Sequence, residues 1–192
     1  FGPAIYNSVI VYPTQTGLII DGNFAAPLID FNGADNVTID GRLNMIGTSP
    51  NLTLINSSTS ATAGTCAIRF INGATSNTVT YCNIKASPTG TTSGIVIFST
   101  TTAATGNNNN TVSNNTITVV ADPNRVVNAV YSAGTAGLVN SGNSISNNNI
   151  YDFLDRSAAI SYGVNLTTNN TAWTISGNSF YQSAAVAPAG ST

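Results

Sequence analysis

A short phrase recurs at nearly constant spacing along the second half of this chain. It begins at Asn77, Asn110, Asn143 and Trp173, and in each copy one apolar residue is followed five residues later by another. The first apolar residues are Val79, Val112, Ile145 and Ile175, which lie 33, 33 and 30 residues apart. Self-similarity at a fixed period of about 30 residues is typical of solenoids, in which each repeat buries its apolar side against its neighbours.

A second apolar phrase lies between successive copies of the first. Its leading apolar residues are Ile68, Ile95, Val130 and Val164, at steps of 27, 35 and 34. Upstream, Ile29–Phe31 and Val37–Ile39 resemble an earlier copy of both phrases, and Leu52–Leu54 then matches Ile84 after an insertion at 41–51. The repeats therefore indicate about five coils of roughly 30–35 residues each.

The residue types within each phrase favour strands over helices. Each apolar stretch is three to six residues long, is rich in Val, Ile, Thr and aromatics, and is bounded by Asn, Gly, Ser and Thr. A helical repeat would need about ten or more residues at 3.6-residue periodicity, and the strong helix former Glu is absent. Three short strands and three turns per repeat predict an all-β protein, a parallel β-helix. Its first interior column would contain Val79, Val112, Ile145 and Ile175.

The residue three positions after the first apolar residue is predicted to form a side-chain ladder. This position is Cys82, Asn115, Asn148 and Asn178 in successive copies. The chain must turn sharply there, and Asn tolerates left-handed backbone better than most residues. Its amide can also hydrogen-bond to the same residue in the next coil, about 4.8 Å away. The alternative is that these are solvated turn formers; we favour the ladder, with Cys82 as its non-amide end.

Composition excludes several classes of function. Charged residues are 6% of the chain, with seven Asp, no Glu, five Lys and Arg together, and no His. Five cations cannot build a phosphate-binding stripe, so no nucleic-acid partner is expected, and a His-based triad or His-ligated metal is impossible. No apolar run approaches about 18 residues, so membrane insertion is not expected. Low charge also suits stacked coils, because like charges in one column would repel at about 5 Å.

The ends and the cysteines complete the expected organisation. We expect one β-helix domain over 1–183, with 1–16 as a candidate N-terminal cap strand, and a linker-like tail over 184–192. The first residues carry neither a charged n-region nor an initiator Met, so we expect an excised segment of a longer protein. Cys66 and Cys82 leave two alternatives open, one disulfide or two buried free thiols.

The amino-acid sequences of the repeats resemble those of a known group of proteins. The segments Ala67–Ala74, Asn110–Ile117, Ser141–Tyr151 and Trp173–Tyr181 are similar to right-handed parallel β-helix repeats of large secreted surface proteins of the Bacteroidota. The resemblance covers about residues 17–182. It implies a right-handed β-helix, an extracellular location at the bacterial cell surface, and a role as an adhesin or a filament or surface-layer component.

Polysaccharide-active β-helix enzymes, lyases or hydrolases, are the competing class. Such hydrolases cluster three Asp residues, and such lyases use a Lys or Arg base beside Ca²⁺-binding carboxylates. No Asn-Thr-Asp, Asp-Asp or Gly-His-Gly phrase occurs here. The best, though weak, candidate catalytic or Ca²⁺-binding group is Asp152, Asp155 and Arg156, and a surface salt bridge is the favoured interpretation of it. Arg69 is a weaker candidate base. We predict no enzymatic activity, no cofactor and no metal.

The other Asp residues are interpreted as structural. Asp30 and Asp40 alternate with apolar neighbours and are predicted to point outward from one coil. The dipeptides Asp21-Gly22 and Asp40-Gly41 are predicted to be turns, because Asp and Gly are favoured there.

Aromatic and Thr residues suggest two binding hypotheses. Candidate glycan-binding residues are Tyr151, Tyr162, Trp173 and Tyr181, because exposed rings stack on sugars, although core and cap packing explains them as well. Ice binding would require Thr-x-Thr on one face in every coil. Thr78, Thr111 and Thr174 align, with Ser144 between them, but no second Thr column follows. We therefore expect a structural or adhesive module that binds a glycan or other surface multivalently and self-associates through its coil ends.

Overall fold

Equivalent residues of successive repeats pair as parallel strands. The computed structural model describes residues 6–121, 125–154 and 160–183. In it Val112 pairs with Val79 on one side and Ile145 on the other, and Ile145 pairs in turn with Ile175. The predicted all-β, parallel β-helix is therefore confirmed.

Each of five coils contributes one strand to each of three parallel sheets, A, B and C. The described part of a sixth coil contributes one further strand to sheet A and one to sheet B. The first three coils contain β1 (Val9–Val11), β2 (Leu18–Gly22) and β3 (Pro27–Asn32); β4 (Val37–Asp40), β5 (Leu52–Asn56) and β6 (Cys66–Ile71); and β7 (Thr78–Thr80), β8 (Cys82–Ala86) and β9 (Val96–Phe98). The later coils contain β10 (Thr111–Ser113), β11 (Thr116–Thr118) and β12 (Asn128–Ser132); β13 (Asn140–Ser141), β14 (Ser144–Ser146), β15 (Asn149–Tyr151) and β16 (Tyr162–Leu166); and β17 (Asn170–Thr171), β18 (Thr174–Ser176) and β19 (Ser179–Tyr181).

Each sheet collects the equivalent strand of every coil. Sheet A is β1-β4-β7-β10-β14-β18, sheet B is β2-β5-β8-β11-β15-β19, and sheet C is β3-β6-β9-β12-β16, while β13 and β17 form a small fourth sheet. The insertion at 41–51 leaves this pairing intact, because the Asn51 N–H donates to the Gly41 carbonyl at 2.6 Å and closes the loop at its base. A short 3₁₀ turn, Leu43–Met45, lies within that loop.

The predicted register is wrong at one point in sheet C. Ile68 pairs with Val96 rather than with Ile95, and Val96 pairs with Val130. The cause is an irregularity before β9, where the N–H groups of Ala67 and Ile68 both donate to the Ile95 carbonyl, at 3.0 and 3.3 Å. Residues 95–98 are all buried, so no alternation of apolar and polar residues revealed the offset.

The interior consists of stacked identical or similar side chains. Ile84, Ile117 and Ile150 are fully buried and pair in sequence along sheet B. In sheet C, the Phe70 ring stacks on Phe31 and on Phe98, with centroids 4.9 and 4.5 Å apart. Such rings gain both burial and offset-stacking energy. The core is therefore continuous along the solenoid axis.

The predicted Asn column makes hydrogen bonds from coil to coil. The backbone N–H and the Nδ2 of Asn115 both donate to Asn148 Oδ1, at 2.9 and 3.1 Å, and Asn148 makes the same two bonds to Asn178. The second Nδ2 proton of Asn148 goes to the carbonyl of Val112 at 2.9 Å. Cys82 ends the column, donating only its N–H to Asn115 Oδ1 at 2.8 Å.

The sharp turn and the ladder use different residues. The left-handed residue is one position earlier, at Asn114 and Asn147, both with φ of 56°. The ladder residues Asn115 and Asn148 are nearly fully buried, and Asn178 in the last coil is half-buried. The turn and the ladder, both predicted for one Asn, thus belong to two neighbouring Asn residues.

Two further Asn columns escaped the sequence analysis. Asn77 Nδ2 donates to Asn110 Oδ1 at 2.9 Å and Asn110 Nδ2 to Asn143 Oδ1 at 3.1 Å, just before the strands of sheet A. Asn107 Nδ2 likewise donates to Asn140 Oδ1 at 3.0 Å. These five side chains are fully buried. Among the described residues, no buried side-chain nitrogen or oxygen lacks a partner, so the amides cost little to bury.

The two cysteines are free thiols, and both are buried. Burial raises the pKa of both, that of Cys82 to about 12. Of the two alternatives that the sequence left open, the structure shows the unbridged one. The expected cap strand within 1–16 corresponds to β1, which is an edge strand of sheet A. The expected tail over 184–192 lies outside the described residues.

Replacement of Asn148 by Ala should strongly destabilise the fold. The change removes the acceptor of two Asn115 protons and strands the Val112 carbonyl, so we expect a loss of about 2–4 kcal/mol in the free energy of unfolding. Asn149→Ala is the matched control, because Asn149 is exposed and should change stability by less than about 0.5 kcal/mol. Urea unfolding of both variants measures the difference, and equal losses would contradict the ladder.

Candidate functional site

Asp152 lies in the turn after β15 and is held by hydrogen bonds. Its carboxylate accepts the N–H of Ser183 at 2.8 Å and the Ser183 hydroxyl at 2.6 Å, and Arg125 Nη1 lies 3.4 Å away. Burial alone would raise the pKa of Asp152, but these bonds from Ser183 and Arg125 lower it. The other two members of the predicted cluster, Asp155 and Arg156, lie outside the described residues.

The cation beside Asp152 was missed by the sequence analysis. Arg125 is almost fully buried and also donates to Gln182 Oε1 at 2.9 Å. It lies 27 residues before Asp152, outside every repeated phrase, so no periodic signal pointed to it. The arrangement favours the ionised carboxylate, which suits a structural ion pair or a base rather than a general acid.

Asp30 and Asp40 both lie in outward columns, as expected, where they pair with Arg69 and Thr80, but only Asp30 is exposed. Asp30 is exposed and forms a two-pronged pair with Arg69, with Nε–Oδ1 at 2.9 Å and Nη2–Oδ2 at 2.7 Å. Asp40 is only 3% exposed, and Arg42 compensates its charge through an Nη2–Oδ2 bond of 2.6 Å. Burial would raise the pKa of Asp40, but the hydrogen bonds from Arg42 lower it. Arg42 also lies over the Tyr81 ring, 4.5 Å from its centroid.

Two other interpretations change in the structure. Asp21-Gly22 is not a turn, because both residues belong to β2 and pair with Ile55 and Asn56. Arg69 has its pKa raised by the hydrogen bond to Asp30, which opposes the lowered pKa that a general base requires.

Only two of the four candidate aromatic residues come together. Tyr151 and Tyr181 stack with centroids 5.0 Å apart and planes 15° from parallel, on the outer face of sheet B. Trp173 instead packs edge-on against Phe98 at 4.8 Å and donates Nε1–H to the Asn140 carbonyl at 3.0 Å. Tyr162 begins β16 in sheet C, apart from the stacked pair.

The outer face of sheet A carries two parallel columns of hydroxyl groups. One column is Thr78, Thr111, Ser144 and Thr174, and the residues two positions later form the other, Thr80, Ser113, Ser146 and Ser176. A second Thr column was not predicted, because Thr80 is the single Thr of this column and the other three residues are Ser. The structure nevertheless aligns its hydroxyls in register with the first.

The outer surface of sheet C holds a groove of about 210 Å³. Its lining consists of one aromatic ring, three hydroxyl side chains and three small residues: Tyr131, Thr92, Ser99, Thr100, Ala63, Gly64 and Ala133. Tyr131 is not among the aromatic residues that the sequence analysis proposed as glycan-binding candidates. The groove around Tyr131 was not predicted, because the loops that line it differ between coils.

Among the residues that the structure describes, no group of three or more His, Cys, Asp or Glu side chains could hold a metal ion. No helix in that part of the chain combines the length and apolarity needed to span a bilayer.

No protein-family model, curated protein or solved structure matches this chain. The resemblance to Bacteroidota surface proteins therefore stays a prediction from the sequences of the repeats. The evidence for the fold is the pairing of the strands.

Proposed function

We propose that this chain is a non-enzymatic structural and adhesive module of an exported bacterial surface protein. The observation that carries the proposal is the in-register columns of mainly neutral polar side chains on the outer faces of sheets A and B, in which Lys85 is the exception among the strands paired here. Each column repeats one weak contact at the spacing of the coils. Repeated weak contacts on a rigid support combine into strong attachment to a surface that is itself repetitive.

Sheet B provides the surface best suited to a polysaccharide. One outward column begins at Ile19 and continues with polar residues only: Thr53, Asn83, Thr116, Asn149 and Ser179. The column beside it contains Lys85 and ends in the stacked Tyr151 and Tyr181, and Tyr181 is 44% exposed. Amide and hydroxyl groups exchange hydrogen bonds with sugar hydroxyls, and an exposed ring packs against the apolar face of a sugar.

The surroundings of the described carboxylates support a binding module over an enzyme. Asp30, Asp40 and Asp152 each face an Arg side chain, and the pKa values of Asp40 and Asp152 are lowered. A polysaccharide hydrolase needs one carboxyl group with a raised pKa as its general acid.

Binding without turnover is the expected behaviour towards insoluble polysaccharides such as cellulose and chitin. Tyr181→Ala should lower the bound fraction at least about threefold, because the exposed platform is lost. Tyr6→Ala is the matched control, since Tyr6 is 72% exposed far from sheet B's tyrosine pair and should not matter. Pull-down measures binding, and reducing-sugar and unsaturated-product assays measure turnover. A turnover that Asp152→Ala or Asp155→Ala abolishes would establish the alternative, a polysaccharide lyase or hydrolase.

End-to-end self-association is the second part of the proposal. At the N-terminal coil Val11 and Ile20 are 42% and 41% exposed, and at the other end Ile175 and Phe180 are 45% and 47% exposed. Within the described residues, no strand pairs with the outer edges of the end coils. A second copy stacked in the register of the coils would place Ile175 against Val11 and Phe180 against Ile20. Such a head-to-tail contact continues both apolar columns and generates filaments.

The amide ladder limits the strength of this contact. In the same register Asn178 would face Leu18 of the second copy. Leu18 has no side-chain oxygen that could accept hydrogen bonds from the backbone N–H and Nδ2 of Asn178. The self-association should therefore be concentration-dependent, and Leu18→Asn should strengthen it by extending the ladder.

Sedimentation velocity over a range of concentrations measures this association. Ile175→Lys should shift the protein to monomer, because it places a charge at the apolar contact. Ser179→Lys puts the same charge at the same end but on the outer face, and should leave association unchanged. A strictly monomeric protein at high concentration, or equal effects of the two Lys variants, would count against end-to-end assembly.

Ice binding is a second candidate function, favoured by the double hydroxyl array of sheet A. The two columns place hydroxyls about 6.6 Å apart along each strand and about 4.8 Å apart between strands, on one face of the sheet. A regular array of this kind can order water into a fixed pattern.

Thermal hysteresis and inhibition of ice recrystallisation measure this activity. Ser113→Tyr should abolish it by raising a bulky ring from the middle of the array, whereas Thr116→Tyr on sheet B should not. The absence of thermal hysteresis in the unchanged protein would exclude the ice-binding function.

A further inference from the structure

The groove on sheet C is separate from the two faces described above. Its ring, Tyr131, lies in the outward column of sheet C, after Arg69 and Ile97. Ile97 is only 1% exposed, although it faces outward, because the neighbouring loops cover it. The loops thus form walls above the sheet, and Tyr131 lies where the space between them opens.

The groove presents hydroxyl groups that the described fold does not use. The hydroxyls of Thr92, Ser99, Thr100 and Tyr131 make no hydrogen bond to any described group, whereas the nearby Ser93 hydroxyl donates to the Thr62 carbonyl at 3.2 Å. Thr92 and Thr100 are exposed, and Ser99 and Tyr131 are half-buried. Each hydroxyl can therefore both donate to and accept from a ligand.

The groove is electrically neutral. Among the described residues, Arg69 lies beside the groove, and two of its guanidinium nitrogens bind the carboxylate of Asp30. Gly64 leaves room for the Arg69 side chain beside the groove, because a Cβ at this position would lie 3.0 Å from Arg69 Nη1. Its φ of +84° also suits glycine. A phosphate or carboxylate ligand would need an uncompensated cation, and no lining residue supplies one.

We propose that this groove binds one residue of a neutral carbohydrate chain. The Tyr131 ring is the platform on which the apolar face of the sugar packs, and Thr92, Ser99 and Thr100 exchange hydrogen bonds with its hydroxyls. The volume of about 210 Å³ is below that of sites for drug-sized ligands, about 300–1,000 Å³. Because the groove is open to solvent, the neighbouring sugars of a chain can leave it. The inference rests on the proposed adhesive function and names a binding site and ligand class for it.

Backbone amide NMR spectra, recorded while oligosaccharides are added, test the proposal. The probes are cellotetraose, xylotetraose, mannotetraose and chitotetraose, with tetragalacturonate as the charged comparison. We expect at least one neutral probe to shift the amide signals of Gly64, Thr92 and Ala133. Tyr131→Ala should weaken that binding at least about tenfold, and Tyr131→Phe less than about threefold, because the ring face carries the contact. Well-dispersed spectra of both variants verify that they are folded.

The outcomes separate this inference from the function on which it rests. Binding that survives Tyr131→Ala but is lost in Tyr181→Ala would overturn the groove and support the adhesive face of sheet B. Tetragalacturonate binding more tightly than every neutral probe would overturn the assignment of a neutral ligand. If none of the neutral probes binds, the groove proposal fails, and pull-down on insoluble polysaccharide then decides the adhesive function independently.

Discussion

Hydrogen bonding between identical buried amides is the constraint on which the rest of this structure depends. Asn148 illustrates it, because its Oδ1 accepts two protons from the preceding coil while its Nδ2 donates both of its own. All four bonds form only when the coils are stacked in one register. A slip by one residue would place the amides on the outside and leave buried backbone groups without partners. The ladders therefore specify the register, and the apolar columns supply most of the stabilisation.

The scarcity of charge follows from the same stacking. A column brings equivalent side chains of neighbouring coils together, so a repeated charge would meet its own copy. Where charge does occur across a column, opposite signs meet, as at Asp30 and Arg69 in adjacent strands of sheet C. The outward columns of sheets A and B therefore consist mainly of hydroxyl, amide and aromatic groups in the later coils, with Lys85 as an exception in sheet B. The requirements of the fold and the neutral character of the proposed binding surfaces have one physical origin.

The sequence predicted what repeats and failed where the coils differ. The column of Val112 and Ile145 was predictable, because one unbroken period separates its members. The buried pair Asn107 and Asn140 keeps the same 33-residue step, but it lies outside the apolar phrases from which the columns were predicted. The register at Val96 was hidden, because an irregular backbone with continuous burial gives no alternating pattern.

The candidate site was harder to predict than the fold for the same reason. The groove at Tyr131 is assembled from loops of unequal length, which carry no periodic signal. The partner of Asp152 is Arg125, from a loop outside the repeats, so the charge cluster foreseen around Asp152 omitted it. Conversely, the proximity of Tyr151 and Tyr181 follows from their equivalent places in adjacent coils, 30 residues apart.

The most direct test of the stacked-amide account is to observe the contact between coils in solution. Nuclear Overhauser effects between the Asn115 backbone amide and the Asn148 side-chain amide, and between the methyl groups of Val112 and Ile145, report it residue by residue. The account predicts both cross-peaks, together with slow solvent exchange of the Asn115 amide proton. The absence of both, with fast exchange at Asn115, would contradict the stacking of equivalent residues.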